Sequence, residues 1–380
     1  MIVGAGVIGA SVAWHLAARG CTNVRVLESE PRSGEGSTGK ATGGFRAQFG
    51  SEVNVRLSLL SREKLLRFRD ELGVDPGFRP CGYLFLVERQ ETLDAFAAAR
   101  EVQRRAGFTD ARPVDLDEVA GINPAVRLDG LRGGVFCPSD GFIRPLEILR
   151  GYLAAAERLG VRFDYGEPCV GLRVEHGRVV AVETPSGAIP AGAVVNAAGA
   201  WAASIAALAD VHIPVRPLRR QVAITGPFAA LPEDMPLTIF AEDGFHLRVR
   251  DGRVLLLWSD EPRSADPFDC TVDPTWFERT VARARQAIPC LAAAPIRFAD
   301  ACAGLYEMSP DGHALLGPAP GVENLYLANG SSGHGVMHAP PLGQLLAEMV
   351  LDGRATSLDV RALRPERFAE GTRNVAPVFL

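Results

Sequence analysis

The sequence predicts an α/β fold built around a parallel sheet, and three observations carry that prediction. Ile2-Val3 runs into Gly4-Ala5-Gly6-Val7-Ile8-Gly9 and then into the apolar helical stretch Ala10–Gly20. Asn23–Glu28 follows as a second strand that ends on an acid. Far downstream, Gly192–Trp201 and Leu325–His338 repeat the pattern of a buried apolar strand opening into a glycine-rich turn. Strands connected through helices in this way lie parallel and hide both faces.

The first unit is a nucleotide fingerprint. Gly4 permits the tight turn, Gly6 lets the backbone approach a pyrophosphate, and Gly9 lets the helix pack on the sheet. Val7 and Ile8 open the helix, whose free N–H groups and positive dipole end suit phosphates. Glu28 stands nineteen residues after Gly9, where a carboxylate accepts from a ribose 2′-OH. An acid there disfavours a 2′-phosphate, and with it NADP. Only three residues precede Gly4, whereas a strand usually has about five or six, so the first strand is expected to lack a few residues. The unit is Rossmann-like and fits NAD or FAD equally.

Three later segments separate those two. Gly36–Arg46 is a Gly/Ser/Thr-rich loop just after the second strand, with Ser37, Thr38, Thr42, Gly43 and Gly44 as expected contacts. Gly192–Trp201 ends a strand in a small-residue turn, with Ala198 and Gly199 at the turn. Asn329–His338 feeds a helix expected from Pro341 to Leu351 and offers Gly330, Gly333, His334, Gly335, Val336 and Met337. Such a dipole end suits the electron-rich edge of a reduced flavin. Each loop alone is equally a tight turn. Together they point to FAD, because an NAD enzyme needs no such loop near its C-terminus.

Elsewhere, Ser61–Leu72, Glu91–Ala106 and Thr275–Ala287 read as helices, and Gln221–Thr225 and Arg253–Trp258 as strands. A net charge of −5 excludes a generally basic nucleic-acid binder. Lys40 and Lys64 are the only lysines, so Schiff-base or pyridoxal chemistry has almost no candidates. The seven cysteines are unpaired in C-x-x-C form and odd in number, which argues against disulfides, zinc or iron–sulfur sites and for a reducing cytoplasm. No metal is expected. The opening segment has no basic n-region, and the least charged stretch, 189–209, holds Pro190 and Asn196, so no signal peptide or membrane span is read.

VGAGVIGASVAWHLA, GSTGKATGGFRAQF, CGYLFLV (Cys81–Val87), VVNAAGAWA, GLYEMSPDGHALLG (Gly304–Gly317) and NGSSGHGVMHAPPLG (Asn329–Gly343) stand in that order. As an ordered set they resemble the D-amino-acid-oxidase-like superfamily of FAD-dependent oxidoreductases. Its sarcosine oxidase beta and L-proline dehydrogenase beta branch is the most similar, with glycine oxidase nearby. The resemblance implies a discontinuous FAD domain from 1–80, 145–215 and 300–380. It implies an interleaved α+β substrate domain from 81–144 and 216–299, with a large antiparallel sheet over the flavin. It adds Val170 and Gly304 to the cofactor contacts. It also implies oxidation of the C–N bond of an amino acid or of an N-methyl or secondary amine. Oxygen, a quinone or a partner subunit would take the electrons, the last within a hetero-oligomer. A 2-hydroxy acid as substrate, or a flavoprotein subunit active only with partners, stays open.

Three residues carry the implied substrate chemistry. Arg46 lies near where the family places a carboxylate-binding arginine, and a guanidinium suits a carboxylate bidentately; the bland alternative is a surface or phosphate arginine. Tyr306 matches an active-site tyrosine or is a satisfied core residue. His246 lies in a strand where the family often has a substrate-facing tyrosine and could accept the amine proton, or is a core or surface histidine. Arg248 is a fallback cation, and His15 is read as packing. Gly304 replaces the cysteine that anchors flavin covalently in monomeric sarcosine oxidase, so FAD is expected to be noncovalent. That enzyme's oxygen-activating lysine has no counterpart near Arg253–Trp258, which tilts the reading towards a dehydrogenase.

Overall fold

The computed structural model describes residues 1–259 and 265–374. Among them, a six-stranded sheet runs in the order Leu315–Ala319, Val322–Asn329, Val194–Asn196, Ile2–Val3, Arg25–Glu28, Arg162–Tyr165. All neighbours are parallel except the first pair. Ile2–Val3 is short but central, and all of Val194–Asn196 is buried. A strand covered on both faces reads as an apolar run, which is why the sequence displayed it.

The helix Val7–Ala18 packs on Pro145–Arg158 and on Gly335–Asp352. Small residues set the last approach: a Cβ on Gly343 would lie 2.2 Å from the Ser11 hydroxyl. The Gly335–Asp352 helix begins ahead of the expected Pro341 and carries Pro340 and Pro341 inside it. A proline there removes an i→i−4 bond. The carbonyl that Pro341 leaves without its donor, that of Met337, takes the Ser61 hydroxyl instead. Glu52–Leu72 also starts before the expected Ser61, because buried Asn54 and Ser58 mask its apolar period.

The second sheet has eight strands: Cys302–Met308, Arg216–Ile224, Arg253–Leu257, His246–Arg250, Leu237–Phe240, Tyr83–Val87, Gly133–Cys137, Arg112–Val114. It is antiparallel but for Tyr83–Val87 beside Leu237–Phe240. The chain passes through the first sheet between those two strands, and a parallel pair needs such a long crossover. Side chains alternate across this sheet. Leu84, Leu86, Leu247 and Leu256 face a core closed by Trp276 and Ala284 of the helix Pro274–Ala287. Tyr83, Phe85 and Ile239 face the main core. A three-stranded antiparallel sheet (Gly171–Glu175, Arg178–Thr184, Gly187–Pro190) and the pair Gly44–Phe45 with Gly141–Phe142 complete the sheets. No helix among the described residues is long and apolar enough to cross a membrane.

Candidate active site

One cavity of about 700 Å³ runs from the fingerprint turn to the inner face of the eight-stranded sheet. Gly4, Gly6, Val7, Ile8 and Glu28 line one end. Gly4 sits at φ 104°, and a Cβ there would meet the Ala197 carbonyl at 2.5 Å. No L side chain fits that backbone or that gap. The Ala5 N–H donates to Glu28 Oε2 at 2.8 Å, which ties the acid to the turn. The Val7 N–H donates to Thr38 Oγ1 at 3.1 Å, while no side chain caps the helix at Gly6. The helix end therefore keeps an electropositive mouth on the cavity.

Ser37, Thr38, Thr42, Gly43 and Gly44 from the first glycine-rich loop also line the cavity, as do Ala198 and Gly199. Ser37 Oγ donates to the Leu305 carbonyl at 2.6 Å, joining this loop to the strand that holds Gly304 and Tyr306. Gly333, His334, Gly335, Val336 and Met337 line the opposite wall. His334 is the N-cap residue of Gly335–Asp352, so that helix also points its N-terminus at the cavity. Tyr306 packs flat against Gly333, where a Cβ would lie 2.5 Å from its ring.

Arg46, His246 and Tyr306 line this same cavity. Arg46 is buried; it donates to the Gln48 carbonyl at 3.3 Å and to His334 Nε2 at 3.2 Å, and lies 4.4 Å over the Phe49 ring. Burial lowers its pKa without neutralising it. His246 donates from Nδ1 to the Gly244 carbonyl at 2.9 Å, and burial, with Arg46 adding to it, holds its pKa at about 4. Its Nε2 is thus an unprotonated lone pair on the cavity wall at neutral pH. Burial raises the Tyr306 phenol, so it remains a donor.

Not every expected contact lies on the wall. Gly9 sits behind it, packed at 2.0 Å (from a built Cβ) against the Gly4 carbonyl, which is the helix-packing role. Gly330 and Val170 are not cavity residues, and Val170 points to solvent at 54% exposure while Pro168 and Cys169 line the wall. Arg248 is also absent from the wall. Its guanidinium is spent on the Thr42 and Gly43 carbonyls at 2.7 and 2.8 Å and stacks 3.6 Å from Phe142, so it clamps the first loop. His15 is buried away from the cavity against Trp14 and Tyr152.

Several wall residues escaped the sequence reading. Lys40 lines the cavity beside Gly304, where a Cβ would come within 3.0 Å of the lysine stem. Tyr83 and Arg220 enter from strands whose inward face only the sheet register reveals. Glu307 accepts the Ser331 N–H at 3.2 Å, and burial raises its pKa to about 7. Its neighbour Tyr306 was a signal that this strand reaches the site.

The cavity suits an elongated, hydroxyl-rich, anionic-centred cofactor. It offers two helix N-termini, the Glu28 carboxylate beside the fingerprint turn, and buried polar atoms without a partner of good hydrogen-bond geometry: Glu307 Oε2, Ser331 Oγ and His334 Nδ1. No cluster of His, Cys, Asp or Glu among the described residues is arranged to hold a metal.

Residues 1–349 match the family described as DAO, FAD dependent oxidoreductase. The chain is 27% identical to mitochondrial dimethylglycine dehydrogenase of Rattus norvegicus, over 98% of this chain and 45% of that protein. It is 27% identical to 4-methylaminobutanoate oxidase (formaldehyde-forming) of Paenarthrobacter nicotinovorans, over 98% and 46%. The chain thus spans less than half the length of these relatives. Among solved structures, L-proline dehydrogenase from P. horikoshii superposes with a TM-score of 0.89 at 28% identity, covering 98% of both chains. Glycine oxidase from Geobacillus kaustophilus gives 0.84 at 25%, covering 96% of this chain and 97% of the other.

Proposed function

This chain belongs to the family of FAD-dependent oxidoreductases, and on that premise we propose that it oxidises the C–N bond of a small amino acid or N-methyl or secondary amine bearing a carboxylate. One observation carries the reading: a buried guanidinium, a neutral imidazole and a phenol share a cavity with the dinucleotide fingerprint. The relatives are named for dimethylglycine, 4-methylaminobutanoate, proline and glycine, in each of which an amine and a carboxylate share one small molecule.

The fingerprint turn and first helix would hold the pyrophosphate, Glu28 a ribose hydroxyl, and the helix end at Gly335 the flavin end, all without a covalent bond. Bound there, FAD supplies a two-electron acceptor for the hydride lost from the substrate carbon. Arg46 takes the carboxylate, and the Tyr306 hydroxyl donates to it. His246 Nε2, unprotonated at neutral pH, accepts a hydrogen bond from the substrate N–H, so the amine is held in its neutral form with its lone pair free when the C–H bond breaks. Fixing the carboxylate and nitrogen at two points also orients that bond. Leu257 and Ile239 on the sheet keep the wall apolar. Water then hydrolyses the imine, or a cyclic imine leaves if the substrate is proline. The six-stranded sheet is the proposed cofactor half and the eight-stranded sheet the substrate half.

Anaerobic mixing of the FAD-loaded protein with amino acids, N-methyl amino acids and 2-hydroxy acids tests this. Bleaching of the visible flavin band by one of the first two classes is expected. Bleaching by a hydroxy acid alone would overturn the C–N assignment.

A further inference from the structure

We infer that His334 is the positioning residue that aims Arg46 at the substrate carboxylate; the inference rests on the C–N reading only for what molecule carries that carboxylate. Among the described residues, four contacts tie His334 and Arg46 into one slot. Arg46 donates to His334 Nε2 at 3.2 Å and to the Gln48 carbonyl at 3.3 Å. The guanidinium lies 4.4 Å over Phe49, and the same Phe49 ring meets His334 edge-on with centroids 4.9 Å apart. His334 itself is fixed by its place as N-cap residue, where its N–H donates to the Ser331 carbonyl at 2.9 Å.

The bond sets the tautomer. Arginine has donors and no acceptor, so Nε2 must carry a lone pair and the ring proton sits on Nδ1. Burial keeps this imidazole neutral, and Arg46, His338 and His313 around it push the same way. That choice of partner has a consequence. A carboxylate at this position would orient the guanidinium and also cancel its charge. A neutral imidazole orients it without adding to the partial compensation that the buried carboxyl of Asp140 already supplies. His338 does not compete, because its Nε2 is engaged with Ser58 Oγ at 2.9 Å.

Three variants separate aiming from bulk packing. His334→Gln puts an amide oxygen near the Nε2 position, His334→Asn puts it near Nδ1, and His334→Ala removes both. Each is reconstituted at saturating FAD, its bound flavin measured, and titrated with propionate and with propionamide by the change in visible flavin absorption. The propionate Kd is expected to rise about tenfold in the Asn and Ala variants, the scale of losing one hydrogen bond to a charged group. It should stay within about threefold of the parent in the Gln variant, and propionamide binding should be the same in all four. Asn and Ala variants that bind propionate like the parent would overturn the inference. So would a Gln variant that loses as much as Ala, or a parent that does not bind propionate. Propionate binding without flavin reduction by any amino acid would sink the C–N reading and leave this inference standing.

Discussion

Replacing Arg46 with Gln is the sharpest probe of the substrate end. The guanidinium is buried at 5% exposure and the neighbouring imidazoles are neutral, while the buried carboxyl of Asp140 offsets part of its charge. At an effective dielectric of ~20 and a separation of ~4 Å, one charge pair is worth about 4 kcal/mol. At ~1.4 kcal/mol per factor of ten, loss of the pair lowers kcat/KM by about a thousandfold for a carboxylate substrate. Because burial already penalises the charge, and because Asp140 can take a proton when its cation is lost, the apo-protein should unfold close to the parental temperature. The assay is anaerobic single-turnover flavin reduction against substrate concentration, with a scanning calorimetry run on each apo-protein. A variant that keeps kcat/KM within threefold refutes the carboxylate role of Arg46. One that loses activity only in step with its thermal stability refutes it as well.

Gly4→Ala places a Cβ 2.5 Å from the Ala197 carbonyl at a φ of 104°, so flavin content per chain should fall to near zero in whatever protein folds; normal flavin loading would contradict the cradle. Arg248→Met strips the Thr42 and Gly43 carbonyls of their donor and should cost about 2–4 kcal/mol of stability and weaken FAD binding, while kcat at saturating FAD changes less than threefold; a selective loss of kcat would return Arg248 to the substrate site. For pH, burial holds His15 and His338 at about 3 and His246 at about 4, so each stays neutral in the fold while protonating in the unfolded chain below about 6.5. Stability from them is full above that value and is lost as pH falls towards 4. Asp140 and Glu307, raised by burial to about 6 and about 7, act the other way and lose stability as pH rises. Since His313 and His334 are also lowered, the histidines outnumber the two acids, and the urea midpoint of the apo-protein should drop between pH 6.5 and 4.5. A flat profile there would mean these histidines are not buried as neutral groups.

Much was legible from local pattern alone. The fingerprint Gly4–Gly9 with Glu28, the two later glycine loops and the apolar central strands follow from chain geometry over a few residues, and so could be read without knowing what packs on them. Arg46, His246 and Tyr306 were nameable by likeness, each beside a bland alternative. Tertiary structure decided what those side chains face. Arg248 and His246 sit two apart on one strand, yet one is consumed by the Thr42 and Gly43 carbonyls and the other keeps a lone pair on the cavity. Lys40 reaches Gly304 across most of the chain's length, and Glu307 reaches the Ser331 loop through the bridge that pairs Met308 with Ser331. The parallel pairing of Tyr83–Val87 with Leu237–Phe240 belongs to the same class. A side chain's charge state and partner depend on desolvation and on neighbours within a few ångströms, and in a fold woven from distant segments those neighbours are not the ones adjacent in the chain.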